Sequence, residues 1–217
     1  MTSTTSLIPG PVGQLEVVAD LPNASGPLAG AGYFAVVSHP HPLYGGTMDN
    51  KVVTTLCRIY RELGVPVARF NFRGVGQSAG QHDHARGEVE DLCAVAAWMH
   101  AENRGATALL AGFSFGAAVT ALACAPTAAG HCVLVAPPVE RYAIANDSAL
   151  ACPTIAVLGS EDDLVEPIAT QRYLSQLQPP PAVVLIEGAT HFFDGKLTAL
   201  RERLTPALLE ALDASRE

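Results

Sequence analysis

The sequence predicts an α/β fold in which helices cover both faces of a mostly parallel central sheet. Apolar runs of strand length alternate along the chain with stretches of helical spacing, the arrangement typical of parallel strands joined by crossover helices. At 217 residues the chain is long enough for one such domain and too short for two large ones. No internal repeat and no long linker divides it, so we expect a single domain spanning residues 1–217.

Seven segments have the length and composition of strands. The run 33–38 (YFAVVS) is apolar almost throughout, as is typical of a strand buried on both faces, and glycine or proline flanks the other runs. Residues 1–11 are expected to form a loose lead-in, and 22–32 a series of turns. The predicted strands are 14–21, 33–38, 66–72, 108–111, 131–136, 153–159 and 182–187.

Five segments are predicted to be helices. Asp49 or Asn50 can cap the first, and Gly64 ends it. Three consecutive prolines end the fourth, and in the fifth leucine recurs every three or four residues, which is helical spacing. The predicted helices are 50–63, 86–103, 117–124, 167–178 and 197–212.

Composition excludes several classes of function. With 49% hydrophobic residues the chain is not generally disordered, and a net charge of −8 without a basic block argues against nucleic acid or anionic membranes as partners. No apolar run approaches the roughly 20 residues of a membrane span. The first residues lack the basic start and apolar core of a signal peptide, so we expect a cytoplasmic protein.

The five cysteines show no Cys-x-x-Cys spacing. Most of them lie in predicted helices or strands among Ala, Val and Leu, so they are interpreted as small buried hydrophobic residues in a reducing compartment. Neither a disulfide framework nor a metal site is expected from their spacing. They are Cys57, Cys93, Cys124, Cys132 and Cys152.

The pattern Gly-x-Ser-x-Gly occurs twice, around Ser114 and around Ser78. Ser114 follows a predicted strand and precedes a segment of small apolar residues with the composition of a buried helix, which is the context that this motif requires. Ser78 runs instead into a polar stretch with no helix. We therefore predict Ser114 as a nucleophile at the carboxyl end of the sheet, with the Phe115 amide at the helix N-terminus facing a developing oxyanion.

A serine nucleophile needs a base, and the base needs a carboxylate. His191 follows the last predicted strand, and the acidic run 161–163 follows the strand before it, so both lie on the same edge of the sheet as Ser114. The chain order is serine, acid, histidine. Other serine hydrolase folds place the three residues in a different order.

The turn around Ser114 and three further motifs carry a resemblance to a known family. The motifs are 38–48 (SHPHPLYGGTM), 70–78 (FNFRGVGQS) and 160–165 (SEDDLV), and with them the chain resembles the α/β-hydrolase superfamily along nearly its whole length. It is most similar to small lidless bacterial hydrolases related to dienelactone hydrolase and carboxylesterase. The resemblance implies an α/β-hydrolase fold without a cap domain. It also implies that Asp162, rather than Asp163, orients His191, because family acids follow a Gly-x-x-Asp-x-x-Val spacing.

The same resemblance implies that the second oxyanion donor is the His41 amide, from the loop His39-Pro40-His41. Pro40 replaces the usual glycine, so the Leu43 and Tyr44 amides remain alternatives. The resemblance implies that His39 and His41 are scaffold residues. The alternative is a metal site, for which zinc is the first metal to consider. Arg73 is expected to pin loops by hydrogen bonds, and His82 and His84 to lie in a solvated loop.

The expected function is hydrolysis of a small carboxylic ester or thioester through Ser114, His191 and Asp162, without a cofactor. Only residues 137–152 lie where a cap would be inserted, so a lid can be at most a flap and the site suits short acyl chains. The protein is expected to be a monomer or a homodimer. A lactone hydrolase or peptidase using the same three residues, and a catalytically silent binding protein, remain alternatives.

Overall fold

A computed structural model of the chain describes residues 3–145 and 149–214. Strands and helices alternate through most of it, as predicted. The strands are β1 (Ser3–Gly10), β2 (Gly13–Asp20), β3 (Tyr33–Ser38), β4 (Val67–Phe70), β5 (Thr107–Phe113), β6 (His131–Val135), β7 (Thr154–Gly159) and β8 (Ala182–Ile186). The helices are α1 (Lys51–Leu63), α2 (Arg86–Glu102), α3 (Phe115–Thr127), α4 (Pro167–Ser175) and α5 (Leu197–Ala214), with a short 3₁₀ turn at Pro42–Tyr44.

The eight strands form one sheet in the order β1-β2-β4-β3-β5-β6-β7-β8. All pairs from β4 to β8 are parallel, whereas β1 and β2 pair antiparallel at one edge. The predicted α/β fold with a mostly parallel sheet is therefore confirmed. Because parallel strands end at the same edge, the loops after β3, β5, β7 and β8 meet on one side of the molecule.

The prediction of a loose lead-in is wrong, because residues 3–10 form strand β1. This strand pairs with β2 over its whole length, from Ser3 opposite Asp20 to Gly10 opposite Gly13. Only Ile8 in β1 is buried, so the segment has no alternating apolar pattern that could indicate a strand. The hydrogen-bonding edge of β2 stabilises β1, and that edge cannot be detected from residues 3–10 alone.

Two apolar layers bury the two faces of the sheet. The first lies under α2, α3 and α4, and the second lies under α1 and α5. In α5, the leucines at 200, 204, 208 and 212 are all at most 1% exposed, which confirms the helical leucine repeat. Asn50, not Asp49, caps α1, because its side chain accepts a hydrogen bond from Val52 N at 2.9 Å.

Between β6 and β7, the described residues of the segment 136–153 contain no helix and no paired strand longer than a single bridge. Within the described residues, none of the helices has the length and apolar character needed to cross a membrane.

Candidate active site

Ser114 lies in a sharp turn between the last residue of β5 and the first residue of α3. Its backbone has φ 55° and ψ −119°, a conformation that non-glycine residues rarely adopt. The Ser114 N–H donates to Val135 O on β6 at 2.8 Å, and this bond anchors the turn to the neighbouring strand. The strained backbone is thus held by the sheet, and Ser114 lines a surface cavity.

The two glycines of this turn are required by close backbone contacts. A Cβ atom at Gly112 would lie 2.2 Å from Gly116 O, and one at Gly116 would lie 2.5 Å from His39 O. Both distances are far below a van der Waals contact. A side chain at Gly112 would therefore force the turn itself open, and one at Gly116 would push it away from the end of β3 and the following loop. The second Gly-x-Ser-x-Gly match has no such turn.

Ser78, in that second match, is a structural hydroxyl. Its Oγ donates to Asn71 O at 2.6 Å and accepts from Glu16 N at 2.9 Å, and the residue is 6% exposed. The first bond closes the loop after β4 on itself, and the second joins this loop to strand β2. Ser78 lies away from the residues that line the cavity at Ser114.

The structure brings Ser114, His191 and Asp162 together. His191, in the loop after β8, has its Nε2 3.0 Å from Ser114 Oγ and its Nδ1 2.8 Å from Asp162 Oδ2. The imidazole and the carboxylate are both buried, at 4% and 6% exposure. With the carboxylate as acceptor, the Nδ1 nitrogen carries the proton and Nε2 accepts the hydrogen bond from the serine hydroxyl.

The loop after β7 fixes which acidic residue reaches the imidazole. Asp162 Oδ1 accepts hydrogen bonds from Leu164 N at 2.9 Å and Val165 N at 2.8 Å, which leaves Oδ2 for His191. Asp163 and Glu161 are exposed to solvent. The geometry therefore selects the carboxylate that the family spacing implied.

His39 is completely buried and both of its ring nitrogens have partners. Nδ1 lies 2.6 Å from Pro40 O, to which it donates, and Nε2 accepts from Phe72 N at 3.0 Å. No ring nitrogen remains for a metal, so His39 serves as a scaffold that joins the loops after β3 and β4. Burial lowers the pKa of His39 to about 4.

We expect the buried histidines to make the protein lose stability in mild acid. Below pH 6.5 the His39 side chain of the unfolded protein binds a proton, whereas that of the folded protein stays neutral until the pH falls to about 4. Burial also lowers the pKa of His131 to about 4, so the same difference applies to it. The contribution of each histidine to the free energy of unfolding should therefore be constant well above pH 6.5 and fall by about 1.4 kcal/mol per pH unit between the unfolded and folded pKa values. Urea unfolding at several pH values measures this slope. A His39 ring that titrates near pH 6.5 by NMR would contradict it.

Phe115 and His41, whose amides were predicted as oxyanion donors, both line the cavity together with Ser114. The Phe115 N–H is the first of α3 and has no intrahelical acceptor. The Leu43 and Tyr44 amides are already engaged, by His41 Nδ1 at 3.2 Å and by His41 O at 3.1 Å. Among the described residues, the His41 N–H has no acceptor. Of the three amides considered for the second oxyanion donor, the structure thus leaves that of His41 available.

The cavity beside Ser114 has a volume of about 660 Å³. Phe115 and Phe192 line it, whereas Phe113 and Phe193 are fully buried in the core. Tyr142 contributes to the wall from the segment where a cap would be inserted, and no sequence signal identified it. The lining residues are Pro40, His41, Tyr44, Gly45, Gly46, Asn50, Ser114, Phe115, Pro138, Arg141, Tyr142, Leu164, Val165, His191 and Phe192.

His82 lies in an exposed loop, but its side chain is buried, contrary to the expectation that it is solvated. Its side chain is 6% exposed, its Nδ1 is 2.8 Å from Glu88 Oε1, and its ring packs 5.4 Å from Phe115 and 4.8 Å from His41, between centroids. The side chain packs against the buried Glu88 carboxylate and these two rings, and none of the three partners is adjacent to His82 in sequence. His84 is exposed, as predicted.

Arg73 pins the loop after β4, as predicted. Its Nη2 lies 2.8 Å from Asp91 Oδ1, its Nε donates to both oxygens of the same carboxylate, and both side chains are at most 5% exposed. The hydrogen bonds to Asp91 raise the pKa of the Arg73 guanidinium. This buried ion pair ties the loop to α2.

No family model matches the chain, but individual proteins and solved structures are similar to it. The uncharacterised protein RP471 of Rickettsia prowazekii is 34% identical over 213 residues, which cover 92% of this chain and 86% of that protein.

Two solved structures cover nearly the whole chain. XC6422 from Xanthomonas campestris, an α/β serine hydrolase without a lid, is 40% identical to the chain, with a TM-score of 0.90. The match covers 96% of this chain and 94% of the XC6422 chain. An α/β serine hydrolase homologue from Coxiella burnetii is 42% identical, with a TM-score of 0.90, and the match covers 96% of this chain and 98% of the Coxiella chain. The chain therefore belongs to the family of α/β serine hydrolases without a lid.

Proposed function

We propose that the protein hydrolyses short acyl esters or thioesters of small molecules through an acyl-enzyme on Ser114. The observation that supports this most strongly is the continuous hydrogen-bonded series from Ser114 Oγ to His191 Nε2 and from His191 Nδ1 to Asp162 Oδ2, at 3.0 and 2.8 Å. A serine with a general base within hydrogen-bond reach, itself oriented by a carboxylate, is the arrangement that activates a hydroxyl for attack on a carbonyl. The series opens into a cavity large enough for a small substrate.

In the acylation step, Ser114 Oγ attacks the substrate carbonyl carbon while His191 Nε2 takes the hydroxyl proton. Asp162 keeps the imidazole in the required tautomer and stabilises the imidazolium that forms. When the tetrahedral intermediate collapses, the bond to the leaving oxygen or sulfur breaks, and His191 delivers its proton to that atom. A water molecule then attacks the acyl-enzyme with the same base, which releases the acid and returns the proton to Ser114.

In this proposal, two backbone amides stabilise the negative charge that develops on the carbonyl oxygen. The Phe115 N–H lies at the N-terminus of α3, where the helix dipole adds to the hydrogen bond, and the His41 N–H is not committed to another acceptor among the described residues. We assign these two amides as the oxyanion donors. The role of His41 belongs to its backbone, since its ring nitrogen Nδ1 accepts the Leu43 N–H at 3.2 Å.

Active-site labelling tests whether the protein is an enzyme or a silent binding module. A fluorophosphonate is expected to attach to one residue, Ser114, as located by mass spectrometry of the peptide. Absence of labelling in folded protein would favour the binding module. A panel of an ester, a thioester, a lactone and a peptide amide of matched size, compared by kcat/KM, then separates the proposed activity from a lactone hydrolase or a peptidase.

We expect kcat/KM to be highest for acyl chains of about two to six carbons. Each methylene that enters the cavity contributes about 0.8 kcal/mol until the wall is reached, and further methylenes stay in water. Only the short segment after β6 stands where a cap would cover a longer chain. A series of p-nitrophenyl esters from acetate to palmitate measures the profile, and a maximum at decanoate or beyond would contradict it.

A further inference from the structure

Three of the five cysteines converge on one point away from the catalytic edge. Cys124 comes from the end of α3, Cys132 from the beginning of β6, and Cys152 from the bend before β7. Their sulfur atoms all lie within 4.8 Å of one another. Cys57 and Cys93 are not part of this group, and all five cysteines are free. The spacing of the cysteines along the sequence gave no sign of this cluster.

We propose that Cys124, Cys132 and Cys152 form a thiolate site for one soft metal ion, with Zn²⁺ as its first candidate. Thiolates are the protein ligands that such ions prefer, and three of them from three different elements make a preorganised triangle. A disulfide would use only two of the sulfur atoms. A packing role alone would not require three sulfur atoms to face one another.

The size of the triangle suits a metal ion. At a Zn–S distance of about 2.3 Å, tetrahedral coordination puts the sulfur atoms about 3.8 Å apart. The observed separations of at most 4.8 Å therefore need to shrink by no more than about 1 Å. Rotation about the χ1 angles of the cysteines can supply this without moving the strands.

A neighbouring hydroxyl orients one of the three ligands. Cys132 Sγ lies 3.1 Å from Thr154 Oγ1, and this contact holds the thiol in place. Binding of the ion displaces the thiol protons of the ligands to water.

An ion can reach the cluster from the side of Cys152. Cys124 and Cys132 are 2% and 1% exposed, whereas Cys152 is only partly buried.

The site is separate from the proposed catalytic centre. Cys124 is nine residues beyond Phe115 along α3, a distance of about 14 Å at the helical rise. Metal binding therefore touches none of Ser114, His191 and Asp162, and a failure of this proposal leaves the hydrolase proposal intact.

The test is a Zn²⁺ titration of the chelator-treated full-length chain, in a non-thiol reductant, against a competing indicator dye. One equivalent is expected to bind to the wild type and to Cys93→Ser, the matched control with a partly buried cysteine outside the cluster. Cys152→Ser should weaken binding by roughly 100-fold or more because one of three thiolates is lost. This residue is the decisive one, because it lies outside helices and strands and its replacement leaves the core packed.

Two further measurements distinguish a thiolate site from surface binding. Co²⁺ should give thiolate-to-metal charge-transfer absorption in the wild type and Cys93→Ser but not in Cys152→Ser. Zn²⁺ should raise the midpoint of thermal unfolding in the same two proteins only. Three outcomes would overturn the proposal. They are stoichiometric Zn²⁺ binding to Cys152→Ser, no Zn²⁺ binding to the wild type, and a disulfide between two cysteines of the cluster that persists under reducing conditions.

Discussion

Replacement of Ser114 by alanine is expected to lower kcat for a short acyl ester by a factor on the order of 10⁶, the scale found when a serine hydrolase loses its nucleophile. The variant keeps His191, Asp162 and both proposed oxyanion amides, so substrate should still bind with a similar KM. Only the covalent step disappears. Residual hydrolysis would come from water activated by His191 in the same cavity. Steady-state kinetics with p-nitrophenyl acetate, and the loss of fluorophosphonate labelling, measure the effect.

Ser78→Ala is the matched control, since it removes a hydroxyl from the second Gly-x-Ser-x-Gly match. This variant loses the hydrogen bonds to Asn71 O and from Glu16 N, so its free energy of unfolding should fall by about 1–3 kcal/mol. Its kcat per folded molecule should stay within about twofold of the wild type, because none of its partners lines the cavity. Equal losses of kcat in the two folded variants would mean that Ser114 is not the nucleophile.

Asp162→Asn is expected to lower kcat by a factor on the order of 10⁴. The side-chain oxygen that accepts the Leu164 and Val165 amides, at 2.9 and 2.8 Å, has to remain an oxygen. The new NH₂ group must then face His191 Nδ1, which can accept its hydrogen bond only in the tautomer that carries the proton on Nε2. That proton points at Ser114 Oγ, so the imidazole can no longer act as a base. The backbone of the loop makes the wrong tautomer the stable one.

Asp163→Asn is the control for this prediction, because it removes the same charge from the adjacent, exposed position. Its kcat should remain within about threefold of the wild type, since a surface charge at this distance is screened by solvent. If Asp163→Asn were the more damaging change, the assignment of the carboxylate would be wrong.

The sequence determined the features that depend on neighbouring residues. Apolar runs such as 33–38 can be stable only as buried strands, and the leucine repeat of α5 has a helical period, so the alternation of strands and helices could be predicted. The strand, turn and helix around Ser114 are local in the same sense. The placement of His191 and Asp162 near Ser114 also followed, because the carboxyl ends of parallel strands meet at one edge.

Only the tertiary structure decided the features that depend on contacts between distant segments. Strand β1 forms because β2 offers it an edge, and His82 is buried because Glu88, Phe115 and His41 surround it. The cluster of Cys124, Cys132 and Cys152 depends on how α3 is packed against β6 and β7. Local propensity cannot encode such contacts, because they arise when the chain satisfies the backbone hydrogen bonds and apolar surfaces of all its elements together.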